Sequence, residues 1–158
     1  MALFNTEITG EVPDLSGLQS LEVFKVENCK LAGEGFMSLY NIPSLIILGV
    51  SGNDDITGTL DGIEKLVNLQ ELYLAGTKMN GPLPEAMGDM TKLKFIQSPE
   101  TSFTGAIPAT FGNLVDLQEI DLSLNALDGA LPEELGQLTK LERVALYGNG
   151  KFMYGFRQ

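Results

Sequence analysis

Between Leu114 and Gln137 apolar side chains stand at Leu114, Leu117, Ile120, Leu122, Leu124 and Leu127, and mostly polar or charged residues fill the gaps. The spacing begins in threes and tightens to strict alternation from Ile120 to Leu124. Alternation over so few residues predicts one short strand, because successive strand side chains point to opposite faces. The opening position of this pattern recurs at Leu18, Ile42, Leu66, Met90, Leu114 and Leu138, each 24 residues after the last. A unit of that length cannot bury its apolar side alone, so consecutive units must stack on one another in a line. One strand per unit is expected near 24–26, 48–50, 72–74, 96–98, 120–122 and 144–146. The organisation is a single array over 1–158: a partial unit at 1–17, full units at 18–41, 42–65, 66–89, 90–113 and 114–137, and a partial unit at 138–158.

The recurring pattern follows L-x-x-L-x-L-x-x-N/C-x-L, the signature of leucine-rich repeats, with Thr77 and Thr101 standing in the N/C slot of two units. Three copies add Gly81-Pro82-Leu83-Pro84 with Met87-Gly88, Gly105-Ala106-Ile107-Pro108 with Phe111-Gly112, and Gly129-Ala130-Leu131-Pro132 with Leu135-Gly136. In this form the chain resembles the plant-type leucine-rich repeats of receptor-like kinases, receptor-like proteins and polygalacturonase-inhibiting proteins. The resemblance implies an α/β solenoid, a right-handed horseshoe or arc of about six to seven turns with a parallel concave sheet. It also implies extended Gly-x-[Ile/Leu]-Pro segments beside that sheet with short helical turns behind them, and a cell-surface, signalling parent protein. Plant ectodomains of this family usually open with a paired-cysteine cap, which this chain lacks.

The slot at the end of each strand holds Asn5, Cys29, Asn53, Thr77, Thr101, Asn125 and Asn149. Side chains there are expected to satisfy backbone groups of a tight, buried turn. A hydroxyl offers one donor where a carboxamide offers two and an acceptor, so the Thr77 and Thr101 turns should be less fully paired than the Asn turns. Pro99 removes a ladder donor and is expected to shorten or distort its strand. The return segment 33–40, with Gly35-Phe36 in place of Ile-Pro, is expected to be irregular. Residues 53–64 nearly match a twelve-residue calcium loop, but Asn53, Ile56, Gly58, Leu60 and Ile63 already have repeat positions and flanking amphipathic helices are missing. No metal or cofactor is expected.

Function then falls to outward-facing side chains. Reading across units places Val23, Ile47, Glu71, Phe95, Glu119 and Arg143 in one column, and Lys25, Gly49, Tyr73, Gln97, Asp121 and Ala145 in the next. A third holds Glu27, Ser51, Ala75, Pro99, Ser123 and Tyr147. The ligand-binding residues expected on this face are Ile47, Glu71, Tyr73, Phe95, Gln97, Glu119, Asp121, Arg143 and Tyr147. Ile47, Tyr73 and Phe95 would form a central apolar strip, and Glu71, Glu119 and Asp121 would be available to basic residues of a protein or peptide ligand.

The chain carries 10 Lys plus Arg against 21 Asp plus Glu, a formal charge of -11, which repels phosphate backbones and argues against nucleic acid. With no His and one Cys, neither a Ser-His or Cys-His pair nor a zinc cluster can be assembled. Glu119 and Asp121 form the remaining carboxylate pair, yet an open sheet offers no buried acid, and a non-enzymatic module is the expectation. A passive spacer is the alternative. No apolar run is long enough to cross a bilayer, and the first residues lack the basic and apolar regions of a signal peptide. No Asn-x-Ser/Thr acceptor occurs. The pattern starts and stops within a unit, so a piece of a longer ectodomain is expected, with Phe152, Met153, Tyr154 and Phe156 either plugging the open end or continuing a cut repeat.

Overall fold

The computed structural model describes residues 1–150 and 152–153. Seven short strands form one parallel sheet in chain order: β1 (Ala2–Phe4), β2 (Val23–Glu27), β3 (Ile47–Gly49), β4 (Glu71–Tyr73), β5 (Phe95–Gln97), β6 (Glu119–Asp121) and β7 (Arg143–Ala145). Their inward residues Phe24, Leu48, Leu72, Ile96 and Ile120 are buried, as are Val26, Val50, Leu74 and Leu122 two positions on. Each such side chain stabilises the stack by roughly 1.5–3 kcal/mol relative to exposure. Where the stack ends such columns open to solvent: Val144, which continues the column of Phe24 and Ile120, is 46% exposed, and Leu18, which opens the column of Ile42 and Leu66, is 50% exposed.

The strands begin one residue earlier than the alternation suggests, and the backbone shows why. Pairs of consecutive N–H groups share one carbonyl at the entry to β3 through β6: Ile46 and Ile47 donate to Glu22 O, Gln70 and Glu71 to Ile46 O, Lys94 and Phe95 to Gln70 O, and Gln118 and Glu119 to Lys94 O. That shared bond starts the ladder at 47, 71, 95 and 119. Each strand's exit is followed by a left-handed residue in the column Asn28, Gly52, Gly76, Glu100, Leu124 and Gly148.

Pro99 leaves its strand undistorted, contrary to expectation; β5 is as long as its neighbours. The equivalent N–H groups of Ala75 and Ser123 bond to side chains, Ser51 of the preceding unit and Asp121 of the same strand, rather than to ladder carbonyls, so proline there removes no backbone ladder bond. Its carbonyl still accepts from Gly76 N at 3.0 Å.

A second parallel sheet lies beside the first, made of Thr9–Glu11, Lys30–Gly33, Asp55–Gly58, Lys78–Pro82, Ser102–Gly105 and Ala126–Leu127. The Gly-x-[Ile/Leu]-Pro segments leave it in extended conformation and run into short 3-10 turns at Glu85–Asp89, Ala109–Asn113 and Glu133–Gln137, which bury Met87, Phe111 and Leu135. Thus the helical element of the implied α/β solenoid is 3-10 in form. A Cβ on Gly88 would come within 2.5 Å of Thr110 O, and one on Gly112 within 2.6 Å of Glu134 Cβ, so these glycines let successive turns stack closely. The segment expected to be irregular is instead the longest 3-10 turn, Gly35–Asn41, where Phe36 and Tyr40 pack edge to face at 5.8 Å and Tyr40 Oη donates to Thr59 O.

The first unit carries another correction. β1 pairs with β2 as Ala2↔Lys25, Leu3↔Val26 and Phe4↔Glu27, an offset of 23 rather than 24. Asn5 therefore takes the left-handed position (φ 52°) and is exposed, while Thr6 occupies the turn slot with its hydroxyl 3.1 Å from Cys29 Sγ. At the other end the backbone of Phe152–Met153 pairs with Gly129–Ala130. Tyr154 and Phe156, and with them the expected plug, lie outside the described residues.

Candidate ligand-binding face

Strand register brings the outward columns together as Ile47↔Glu71↔Phe95↔Glu119↔Arg143 and Gly49↔Tyr73↔Gln97↔Asp121↔Ala145. Ile47, Tyr73 and Phe95 are half-buried on adjacent strands, but they meet on diagonals. Glu71 stands between Ile47 and Phe95, so the expected apolar strip is interrupted by a carboxylate.

That carboxylate is used at once: Tyr73 Oη donates to Glu71 Oε2 at 2.9 Å. Lys25, which the sequence reading left out of the site, crosses from β2 so that its ammonium sits 4.4 Å from the Tyr73 ring centroid and 3.5 Å from Glu27 Oε1. It can cross because β3 offers Gly49 there; a Cβ at that position would lie 3.1 Å from Lys25 Cγ and 2.8 Å from Glu27 Oε1. Partial burial, then the Glu71 hydrogen bond and carboxylate charge, push the Tyr73 hydroxyl up to about 12, so it remains a donor at neutral pH. Glycine in an outward column was the available clue, since it clears room for a neighbouring long side chain.

The other half of the face is paired differently. Arg143 Nη1 lies 3.0 Å from Glu119 Oε1 and its Nη2 3.9 Å from Asp121 Oδ2. Gln97 Nε2 donates to Glu119 Oε1 at 3.2 Å, and Asp121 Oδ1 accepts from Ser123 N and Oγ at 3.0 and 2.6 Å. The carboxylates expected to await a ligand's cations are therefore engaged with Arg143, whose own side chain is 62% exposed while theirs are 20% and 14%. Tyr147 projects from the last turn, 66% exposed.

The turn slots divide by chemistry. Asn53 Nδ2 donates to Val50 O at 2.7 Å and to Val26 O of the preceding unit at 2.8 Å, and its Oδ1 accepts from Leu31 N at 3.1 Å. Asn125 bonds Leu122 O, Ser98 O and Phe103 N in the same way, and Asn149 bonds Leu146 O, Leu122 O and Leu127 N. Thr77 Oγ1 reaches Leu74 O alone, and Thr101 reaches Ser98 O and Asn125 Oδ1. Cys29 Sγ lies near Glu27 O, buried. Because Asn53 spends its carboxamide inside this turn and Ile56 and Leu60 are buried, the calcium-loop likeness of 53–64 is a coincidence of repeat positions.

A family model described as a leucine-rich repeat region matches residues 1–152. The chain belongs to the leucine-rich repeat family. Among its relatives, Receptor-like protein 36 of Arabidopsis thaliana is 34% identical over 84 residues, covering 52% of this chain and 12% of that protein. The Arabidopsis receptor-like kinase TMK2 is 26% identical over 112 residues, 67% of this chain and 12% of that protein. The plant peptide hormone receptor RGFR1, solved in complex with RGF2, superimposes with a TM-score of 0.89 at 31% identity, covering 94% of this chain and 24% of that one. The leucine-rich repeat ectodomain of the Arabidopsis receptor kinase HAESA, in complex with an IDA peptide hormone ligand, does so at 0.85 and 29%, covering 93% of this chain and 26% of that one. This leucine-rich repeat chain thus spans about an eighth of the curated relatives and about a quarter of the solved ectodomains it matches.

Proposed function

We propose that this chain is a non-enzymatic recognition module that binds an extended peptide or a protein surface along the concave sheet, within a parent protein of the cell surface. The observation that carries this reading is the centre of that sheet. Ile47, Tyr73 and Phe95 sit half-buried on three successive strands, with Tyr73 held between the Lys25 ammonium and the Glu71 carboxylate. An aromatic immobilised before binding loses little rotamer freedom when a ligand covers it. The peptide-hormone complexes of the structural relatives support the same class of ligand.

The test is capture of partners from an extract of the source organism on the immobilised chain, repeated with Tyr73→Ala and Phe95→Ala together. Truncating aromatics at such a centre is expected to weaken binding about thirtyfold, mostly through faster dissociation. Retention of the same partners with unchanged kinetics would replace this reading by that of a passive spacer.

A further inference from the structure

Where the chain enters the concave sheet, a cleft of about 240 Å³ runs along the edge, lined by Glu22, Ser44, Ile46, Asn68, Gln70 and Lys92. These residues precede β2 to β5, with further units on either side. The backbone beneath is fixed, because Glu22 O, Ile46 O and Gln70 O each accept two consecutive N–H groups of the next unit. Two of the lining side chains are fixed as well: Ser44 Oγ donates to Leu21 O at 2.8 Å and Asn68 Nδ2 to Pro43 O at 2.9 Å, each reaching back one unit.

Lys92 is the anomaly in this cleft. The chain has 21 acids against 10 bases, and three other lysines reach back one unit to a carboxylate: Lys30 to Glu7, Lys78 to Asp55 and Lys140 to Asp116. Lys92 reaches back to a neutral carboxamide instead, its ammonium 2.7 Å from Asn68 Oδ1. Since Pro43 O holds Asn68 in turn, the ammonium is steered by a fixed acceptor that leaves its charge unspent. Lys94 stands two residues on, with Leu93 buried between them. Among the described residues neither ammonium lies within ion-pair distance of a carboxylate. Asp116, one unit further, is already taken by Lys140.

We propose that this edge docks an acidic segment of a partner protein: a glutamate side chain enters the cleft and its carboxylate accepts from Lys92 and Gln70, with Lys94 adding positive charge beside it. An ammonium has three donors, and Asn68 takes only one. Half-buried Ile46 offers the glutamate's methylene stem an apolar floor, which a bare sulfate or phosphate cannot use. Glu22 lines the cleft with a negative charge three units before Lys92, so an acid is favoured only at the Lys92 end. These residues lie outside the concave columns, and the inference does not rest on the concave-face reading.

Dye-labelled Ser-Gly-Glu-Ser-Glu-Gly-Ser, and the same peptide with Gln for both Glu, test it by fluorescence anisotropy at low salt. A chain of charge -11 repels the first peptide as a whole, so tighter binding of the Glu peptide, by about tenfold, is the expected mark of a local site. Lys92→Gln with Lys94→Gln should weaken it about tenfold. Lys30→Gln with Lys78→Gln removes the same charge from the second sheet and should change it by less than about twofold. Asn68→Asp gives the Lys92 ammonium a carboxylate of its own and should weaken binding about tenfold, and Asn68→Ala about threefold. Equal affinity for the two peptides, no binding at millimolar concentration, equal losses from the two lysine pairs, or undiminished binding by Asn68→Asp would each overturn the proposal. So would inorganic sulfate competing as well as free glutamate at matched ionic strength. Tyr73→Ala with Phe95→Ala should leave the Glu peptide's affinity unchanged; its loss there would put the peptide on the concave face and overturn the edge site alone.

Discussion

The turns at Asn53 and Thr77 occupy equivalent places in adjacent units, and both side chains are buried, at 0% and 4% exposure. Asn53 ties its own turn to the unit before it, through Val26 O and Leu31 N, and closes the turn on Val50 O. Thr77 closes its turn on Leu74 O and goes no further. One slot therefore links two units and the other only folds back on itself. A carboxamide can do the first because it carries donors and an acceptor on a planar group long enough to cross between units; a hydroxyl on a β-branched stem cannot. In a linear stack, where each unit meets only its neighbours, such links add to the interface energy between units.

The largest expected effect breaks the stronger link. Asn53→Ala should cost about 2 to 4 kcal/mol in a urea titration, because carbonyls and an N–H are left buried without partners, while Thr77→Ala should cost about 1. Equal costs would show that the inter-unit bonds carry no net stability. A smaller effect is expected at Ser98, whose carbonyl serves both Thr101 and Asn125 while its own hydroxyl is buried without a partner. It stands in the core column of Val26, Val50, Leu74 and Leu122, so Ser98→Val should stabilise by about 1 to 2 kcal/mol. A measured loss would mean that the hydroxyl is satisfied by ordered water. Smallest is the conversion of one class of turn into the other: Thr77→Asn should gain about 0.5 to 1.5 kcal/mol, and Thr101→Asn less, since Asn125 Oδ1 already takes the Thr101 hydroxyl. The reverse order of these two gains in parallel thermal melts would count against the comparison.

Much of this could be read from the chain alone, and the exceptions share a cause. The 24-residue recurrence placed the strands to within one residue, the buried columns and the outward columns. It missed the shared carbonyl at the strand entries and overestimated the effect of Pro99, because it treated every strand N–H as a ladder donor when that column bonds to side chains. It also put Asn5 in the turn slot by counting 48 residues to Asn53, whereas β1 and β2 pair at an offset of 23 and Thr6 stands there instead. At the candidate site it named Tyr73, Glu71, Glu119, Asp121 and Arg143 but not Lys25.

By itself the sequence determined the solenoid, its period, which side chains form the core and which face outward, since a strand's alternation and a unit's need to bury one side on the next are properties of local pattern. Only the tertiary structure decided how the outward side chains are spent. Whether Lys25 crosses Gly49 to reach Tyr73, whether Arg143 settles on Glu119 and Asp121, and whether Leu124 accepts a left-handed backbone over Gly148 depend on gaps and rotamers between units. Such pairings join residues 22 to 48 positions apart, chosen among several partners of like charge and reach, and no periodicity distinguishes one choice from another.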